Sequence, residues 1–366
     1  MLLPVYAAIA AAIVFYLLVP VGGAFALRGQ WRRFRDRVAG LGSVPRLRYR
    51  DLADARREGR ARVGNFRLHG SIEAIEGADS IWVRGKEASA LVDLSRSPLY
   101  VLEPAGGEAS DEGSAGTVAR LRWKSLSSLA EGTSIFVSGT LVLEGGRPLF
   151  VDEPDGTLLA VCHDGDEKRL TSRLIAGGRA QNEYWNYLTT LSMSLGLVAI
   201  SAILLLAGVS TFPTLRALIF IAGLSPVLPL APPGLAFFLL YRRFWRRALS
   251  ARTTRDLIRL PMGNIRGSGS GAYFRRPPAK EIGLERAARI STQGGGKESA
   301  GTLTVFEPID PEDPLVEVFA FEGDPETEAL RAERDAFLYA TASGLSLGLA
   351  LLVNFALAFA LWRAAQ

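Results

Sequence analysis

Four long apolar blocks, each bounded by charge or by aromatic rings, divide this chain. The first, residues 2–27, is rich in Leu, Val and Ala and runs directly into Arg28, Arg32, Arg33, Arg35 and Arg37. The second, 184–209, is entered through Tyr184, Trp185 and Tyr187, rings that favour the headgroup zone of a bilayer, and carries no charge from Leu188 to Val209. A short turn leads to the third, 215–241, which stops at Arg242, Arg243, Trp245, Arg246 and Arg247, a membrane-interface cluster. The fourth is 337–361. Crossing a hydrocarbon layer about 30 Å thick takes about 20 helical residues. The pattern therefore predicts an integral membrane α-helical protein with four transmembrane helices.

The third block cannot be one regular helix. It holds Pro226, Pro229, Pro232 and Pro233, and each proline removes a backbone donor and clashes with the preceding turn. Broken helices at membrane depth form ion and solute sites in transporters. No Asp, Glu, Lys, Arg or His lies within the apolar cores 2–27, 188–209, 218–241 and 337–361, however, whereas pumps and proton relays usually place one there. The break reads first as a shaped hairpin. In the fourth block Gly344 and Gly348 have the spacing that permits close helix approach, and Asn354 is the one strongly polar interior side chain; all three read as helix-packing residues.

Between the first two blocks the period changes. Residues 63–164 alternate apolar and polar positions in short runs broken by glycine, which predicts antiparallel strands at 66–75, 80–86, 88–94, 118–124, 134–143, 148–151 and 158–161. Residues 144–147 form a hairpin turn, and the acidic, Gly- and Ser-rich 103–116 is a flexible loop. The succession predicts an all-β, OB-like small barrel. Residues 164–180 read as a polar linker. Residues 242–335 read as a second small mixed domain, with strands at 302–306 and 316–321, loops at 267–271 and 294–296, and a helix capped by Asp324 that continues into the fourth block.

Charge sets orientation. Residues 28–62 carry twelve arginines against four acids, a juxtamembrane segment that serves as a topology signal with a connecting helix at 51–60, or alternatively docks on anionic lipid headgroups. No basic residue precedes the first apolar core, so that block is an uncleaved anchor rather than a signal peptide. The expectation is a bacterial-type cytoplasmic membrane, both termini outside and the large domains cytoplasmic. Residues 242–297 hold fourteen basic residues against three acids and 298–335 hold two against twelve, so these halves are electrostatically complementary.

Candidate chemistry is sparse. One cysteine and two histidines permit no internal disulfide and no ordinary structural zinc site. No nucleophile–base pair or phosphate-cradling loop is identifiable, and no cofactor is expected. On the barrel, Trp82, Arg84 and Lys86 share one strand face, as do Arg120, Arg122 and Lys124, an arrangement that invites nucleic acid. Residues 61–164 hold nine basic residues against fifteen acids, however, the wrong sign for neutralising phosphates, so nucleic acid is not an expected partner. The alternating neighbours Ile81, Val83, Leu121 and Trp123 read more simply as a core face.

A membrane anchor followed by a small OB-like domain resembles the layout of NfeD-like and mitochondrial GIDE-type membrane proteins. The resemblance implies the fold of the β domain only; no RING cysteines follow, so ligase activity is not implied. The functional expectation is a non-enzymatic membrane scaffold or accessory protein, its β domain engaging a protein partner or a second copy in envelope biogenesis or membrane-protein quality control. The alternative is a transporter or channel component that uses the broken third block.

Overall fold

The computed structural model describes residues 3–103, 117–123, 131–153, 158–164, 170–181, 187–207, 213–266, 274–276, 303–308 and 319–364. The expected loops at 267–271 and 294–296, and all but the first residue of that at 103–116, lie outside these. The chain forms two compact units, one of residues 1–33, 182–252 and 330–366, the other of 34–181 and 253–329.

The first unit is helical. Helix α1 (Leu3–Ile13) passes through a single π turn (Val14–Leu18) into α2 (Val19–Gly40). Helices α5 (Tyr187–Ala207), α6 (Pro213–Leu224), α7 (Gly234–Arg266) and α8 (Pro325–Ala364) follow later in the chain. Three helical segments are long and apolar enough to cross a membrane: Leu3–Ser43, Leu188–Leu206 and Pro325–Ala364. The expected span at 215–241 is present as two pieces. Helix α6 ends at Leu224, a short 3-10 turn covers Leu228–Leu230, and α7 restarts at Gly234. At 1.5 Å per residue the 12-residue α6 is about 18 Å long, too short to cross alone. The prolines impose the interruption, since the missing donors fall where the next helical turn would need them.

Helices α1, α5 and α6 pack around Val5, Ala8, Ile200 and Ile219. Helix α5 comes close to the π turn at Gly196, where a Cβ would stand 2.6 Å from the Tyr16 ring and 2.7 Å from Phe15 Cβ. The π turn disturbs the regular backbone ladder there. Ser192 Oγ donates to Phe15 O at 2.6 Å, and Tyr16 OH donates to Gly223 O at 3.3 Å. At Gly344 and Gly348 a Cβ would meet nothing within 4 Å.

The second unit is built on a mixed sheet of eight strands. They are β1 (Arg62–Glu76), β2 (Ser80–Gly85), β3 (Ser89–Asp93), β4 (Leu99–Leu102), β5 (Val118–Leu121), β6 (Ser134–Glu144), β7 (Arg147–Val151) and β8 (Leu159–His163), preceded by helix α3 (Tyr49–Arg57). The order is β1-β2-β3-β7-β6-β8-β4-β5, and β1 also pairs with β6, so five strands close on themselves. The long β1 makes this closure by giving Arg62–Ser71 to β6 and Gly70–Glu76 to β2. Inside lie Leu68, Ile72, Ile81, Val83, Val137 and Phe150, all buried, as the alternation predicts.

Three expectations are corrected. The sheet is not wholly antiparallel, because β3 pairs with β7 and β4 with β8 in parallel; the β6–β7 hairpin returns β7 to the free edge of β3 in the same direction. Strand β4 was not expected: Leu99-Tyr-Val-Leu102 is short, lacks alternation and has its first, second and fourth residues buried, as befits a strand covered on both faces. Residues 170–180 are not a polar linker but helix α4 (Leu170–Ala180), which buries Leu170, Leu174 and Ile175 at helical spacing. The end of α2 joins it: Phe34 lies against Tyr100, ring centroids 4.4 Å apart, and Arg35 Nη1 donates to Gly178 O.

The same unit holds a three-stranded sheet of β9 (Phe274–Arg275), β10 (Leu303–Pro308) and β11 (Phe319–Glu322). Asp324 caps α8, its Oδ2 accepting from Thr327 N at 3.1 Å and from Thr327 Oγ1 at 2.8 Å, and these bonds hold its carboxyl below the usual range.

Candidate functional site

The most chemically varied surface is a pocket of about 450 Å³ where α3, β2, β3 and the β6–β7 turn meet. Strand parity builds its wall. Ile81 and Val83 point into the barrel, so Trp82 and Arg84 point out, and Lys86 follows in the turn to β3. Helix α3 contributes Tyr49 and Arg56; its start is fixed by Arg48 N donating to Asp51 Oδ2 at 2.9 Å. The β6–β7 turn consists of Gly145 and Gly146, at φ 57° and 81°, the left-handed region that tight hairpins require. Arg56 Nη2 donates to Gly146 O at 2.9 Å, which ties helix to turn, and Arg147 follows.

Four cations thus border one pocket, against Glu87 as the only acid in its lining. Two are paired from behind: Arg84 with Glu73 at 3.7 Å and Arg147 with Glu76 at 3.3 Å, while Glu76 also accepts from Trp82 Nε1. These ion pairs are exposed and weak, and they hold the side chains in place. Arg56 and Lys86 form no ion pair with a described residue. A ring and a guanidinium side by side suit a carboxylate next to an apolar side chain. The sequence groups Trp82, Arg84 and Lys86 by parity; Tyr49, Arg56 and Arg147 arrive through tertiary packing, and no sequence signal joins them to the others. Arg120, on the opposite sheet margin, instead bonds Tyr100, and Lys124 lies outside the described residues.

The two histidines, 94 residues apart, meet on the outer face of the sheet with Nε2 atoms 3.0 Å apart. Their ring centroids are 5.1 Å apart, close to the largest separation this contact allows, so the nitrogens point nearly straight at each other. That is hydrogen-bond geometry. Among the described residues Nδ1 of His163 is buried without a partner. We assign the proton between the rings to His163, because the other tautomer would bury an N–H with no acceptor, whereas this one buries only a lone pair. Burial pushes the His163 imidazole below its ordinary pKa, Arg173 adds to this and Asp164 opposes it. Cys162 points to the other face, into the barrel, where burial pushes its thiol up to about 12. Among the described residues no group of three or more metal-ligating side chains occurs.

In the helical unit Asn354 closes the proline break. Its Oδ1 accepts from Gly234 N at 3.0 Å, and its Nδ2 donates to Leu228 O at 2.5 Å and to Ala231 O at 2.6 Å. At the break made by Pro226, Pro229, Pro232 and Pro233, one side chain on α8 thereby takes up the Gly234 N–H and gives a second donor to the carbonyls of Leu228 and Ala231, which also accept from Ala231 N and Leu235 N. Gly234 is required there, since a Cβ would lie 2.1 Å from Asn354 Nδ2. The interface residues are distributed as follows. Tyr184 and Trp185 lie outside the described residues, and Tyr187 opens α5. On α7, Arg252 sits over the Trp245 ring at 5.6 Å and Arg247 over Tyr339 at 5.8 Å; Arg242, Arg243 and Arg246 share that helix.

No family model, curated protein or solved structure matches this chain.

Proposed function

We propose that the chain is a non-enzymatic, membrane-anchored accessory protein whose β unit, an OB-like barrel on the cytoplasmic side, takes an acidic segment of a protein partner in the pocket between Tyr49, Trp82 and Arg84. The observation that carries this reading is the pocket's sign: four cations and two aromatic rings in a domain that is otherwise strongly acidic. The barrel order β1-β2-β3-β7-β6, closing on β1, supports the OB-like assignment. In such barrels the second and third strands and the turn between the last two form the usual binding face, and β2, β3 and the β6–β7 turn supply this pocket.

A short acidic segment fits better than a nucleic acid. A pocket of about 450 Å³ receives one or two side chains, whereas a polyanion must continue beyond it over acidic surface, where repulsion grows with every phosphate. As for the broken helix, Leu228 O and Ala231 O already accept from Asn354, which supports a structural role for the break rather than a row of carbonyl ligands. The positive-inside pattern of 28–62 and 242–247 supports the orientation.

The test is a photo-crosslinking residue at Glu87 of the full chain in its native membrane. The expected result is a discrete protein adduct that Arg84→Glu with Lys86→Glu abolishes at unchanged abundance. A nuclease-sensitive adduct, or a protein adduct indifferent to the charge reversal, overturns the reading.

A further inference from the structure

A groove of about 640 Å³ runs along the helical unit between α5, α6 and the end of α8. This lies within the range of roughly 300–1,000 Å³ typical of small-molecule sites. Its composition is graded. Arg216, in the first turn and a half of α6, and Trp362, near the last turn of α8, stand at one end. From there the floor continues through Phe220, Leu224 and Ala358 to Leu228 in the proline break, with no further charge. Arg216 is exposed and forms no hydrogen bond or ion pair with a described residue.

Exposed apolar side chains flank the groove, with Leu205 and Leu206 on α5 77% and 80% exposed and Leu352 on α8 65% exposed. Helices of this kind place that surface in hydrocarbon, so what the groove meets is lipid. A guanidinium at the rim of hydrocarbon requires a counter-charge, and none of the ten lining residues is acidic. Indole and guanidinium together at a helix end mark the headgroup level, and a planar guanidinium pairs with phosphate in a two-pronged fashion.

We infer that this groove is a site for one anionic phospholipid, its phosphate on Arg216 and an acyl chain laid along Phe220, Leu224 and Leu228. A net-anionic lipid is selected over a zwitterionic one because the phosphate of the latter is already compensated by its own ammonium group. The site is independent of the β unit and of what that unit binds.

The experiment is native mass spectrometry of the full chain in mild detergent, titrated with phosphatidylglycerol and phosphatidylcholine of identical acyl chains. One cation near the headgroup gives a preference of about fivefold for phosphatidylglycerol. Arg216→Gln is expected to remove that preference while leaving phosphatidylcholine retention unchanged, and Arg216→Lys to keep most of it. Ala358→Trp, which fills the floor, is expected to lower retention of both lipids; a thermal melt of the variant establishes that it is folded. Equal retention of the two lipids by the wild type overturns the inference. So does an Arg216→Gln variant with the preference intact, or loss of the preference on Arg363→Gln instead.

Discussion

Asn354 in the helical unit and His163 in the β unit are both polar side chains in apolar surroundings, 3% and 2% exposed. Asn354 uses its acceptor and both protons of its amide at the proline break, on the Gly234 N–H and on the carbonyls of Leu228 and Ala231, each of which also accepts one backbone N–H. Among the described residues the His163 ring makes one bond, to His69, and leaves Nδ1 buried and without a partner. The difference follows from what surrounds each. Around Asn354 the proline break leaves the Gly234 N–H to be met by a side chain, and an open N–H would be costly in hydrocarbon, so a side chain from a distant helix is held there. Around His163 the sheet already satisfies the backbone, and the imidazole adds a titratable group that the fold does not need for closure. The first is a structural bond set that tolerates no change; the second tolerates change but responds to protons.

Asp256 on α7 is the extreme case for the β unit and the place to test how far it tolerates lost polar partners. One carboxylate there faces three arginines: Arg179 at 2.6 Å, Arg255 at 2.9 Å and Arg35 at 4.0 Å. Asp256→Ala leaves a cluster of like charges at the junction of α2, α4 and α7, and the expected loss is about 3 kcal/mol. Calorimetry or a denaturant melt of the full chain reads it. A loss under about 1 kcal/mol would mean that solvent screens the cluster as it does surface pairs.

In the helical unit, Gly234→Ala and Asn354→Leu each break the same three bonds. Each is expected to cost about 2 kcal/mol, at the level measured for polar contacts between membrane helices plus the steric term at Gly234. Because both act on one bond set, the double variant is expected to cost little more than either single one. Additive losses, followed by thermal unfolding in detergent, would break the comparison by showing that Asn354 and Gly234 act separately.

The smallest expected effect is that of His163. Its folded pKa lies below the ordinary 6.5, so between these values the unfolded chain binds a proton that the folded chain does not. Stability is therefore greatest above pH 6.5, falls as pH drops through 6.5, and this contribution levels off below the folded pKa. His163→Gln keeps a donor toward His69 but does not titrate. The melting temperature of the variant is expected to fall less than that of the wild type between pH 7.5 and 5.5; parallel curves would show that the histidine pair carries no proton linkage.

Periodicity made much of this visible beforehand. Ile81, Val83, Val137 and Leu141 sit in the barrel where alternation places them, and the Gly145-Gly146 hairpin is where the turn residues place it. The proline break was legible too, since Pro226 to Pro233 admit no regular helix. What the sequence did not disclose depends on distant partners. Asn354 was marked by its polarity, but its targets lie 120 to 126 residues earlier in the chain. Helix α4 hid behind a polar composition whose apolar minority proved to be its buried face. The pocket joins Trp82 and Arg84 to Tyr49, Arg56 and Arg147 only after the barrel has closed, and Arg216 at the start of the third block drew no notice because its groove needs the end of α8.

The pairing of β1 with β6 also sets a timetable for synthesis. Strand β1 ends at Glu76 and β6 begins at Ser134, so at about 5–20 residues per second the ribosome needs roughly 3–12 s to deliver the closing strand. Over that interval β1, β2 and β3 can form a meander, but the edge of β1 destined for β6 offers its amides and carbonyls to any strand nearby. The nascent barrel is thus most open to mispairing while it waits. A variant that delays β6, by a longer insert between β5 and β6, would lengthen that exposure and lower the folded yield without altering a single contact of the finished protein.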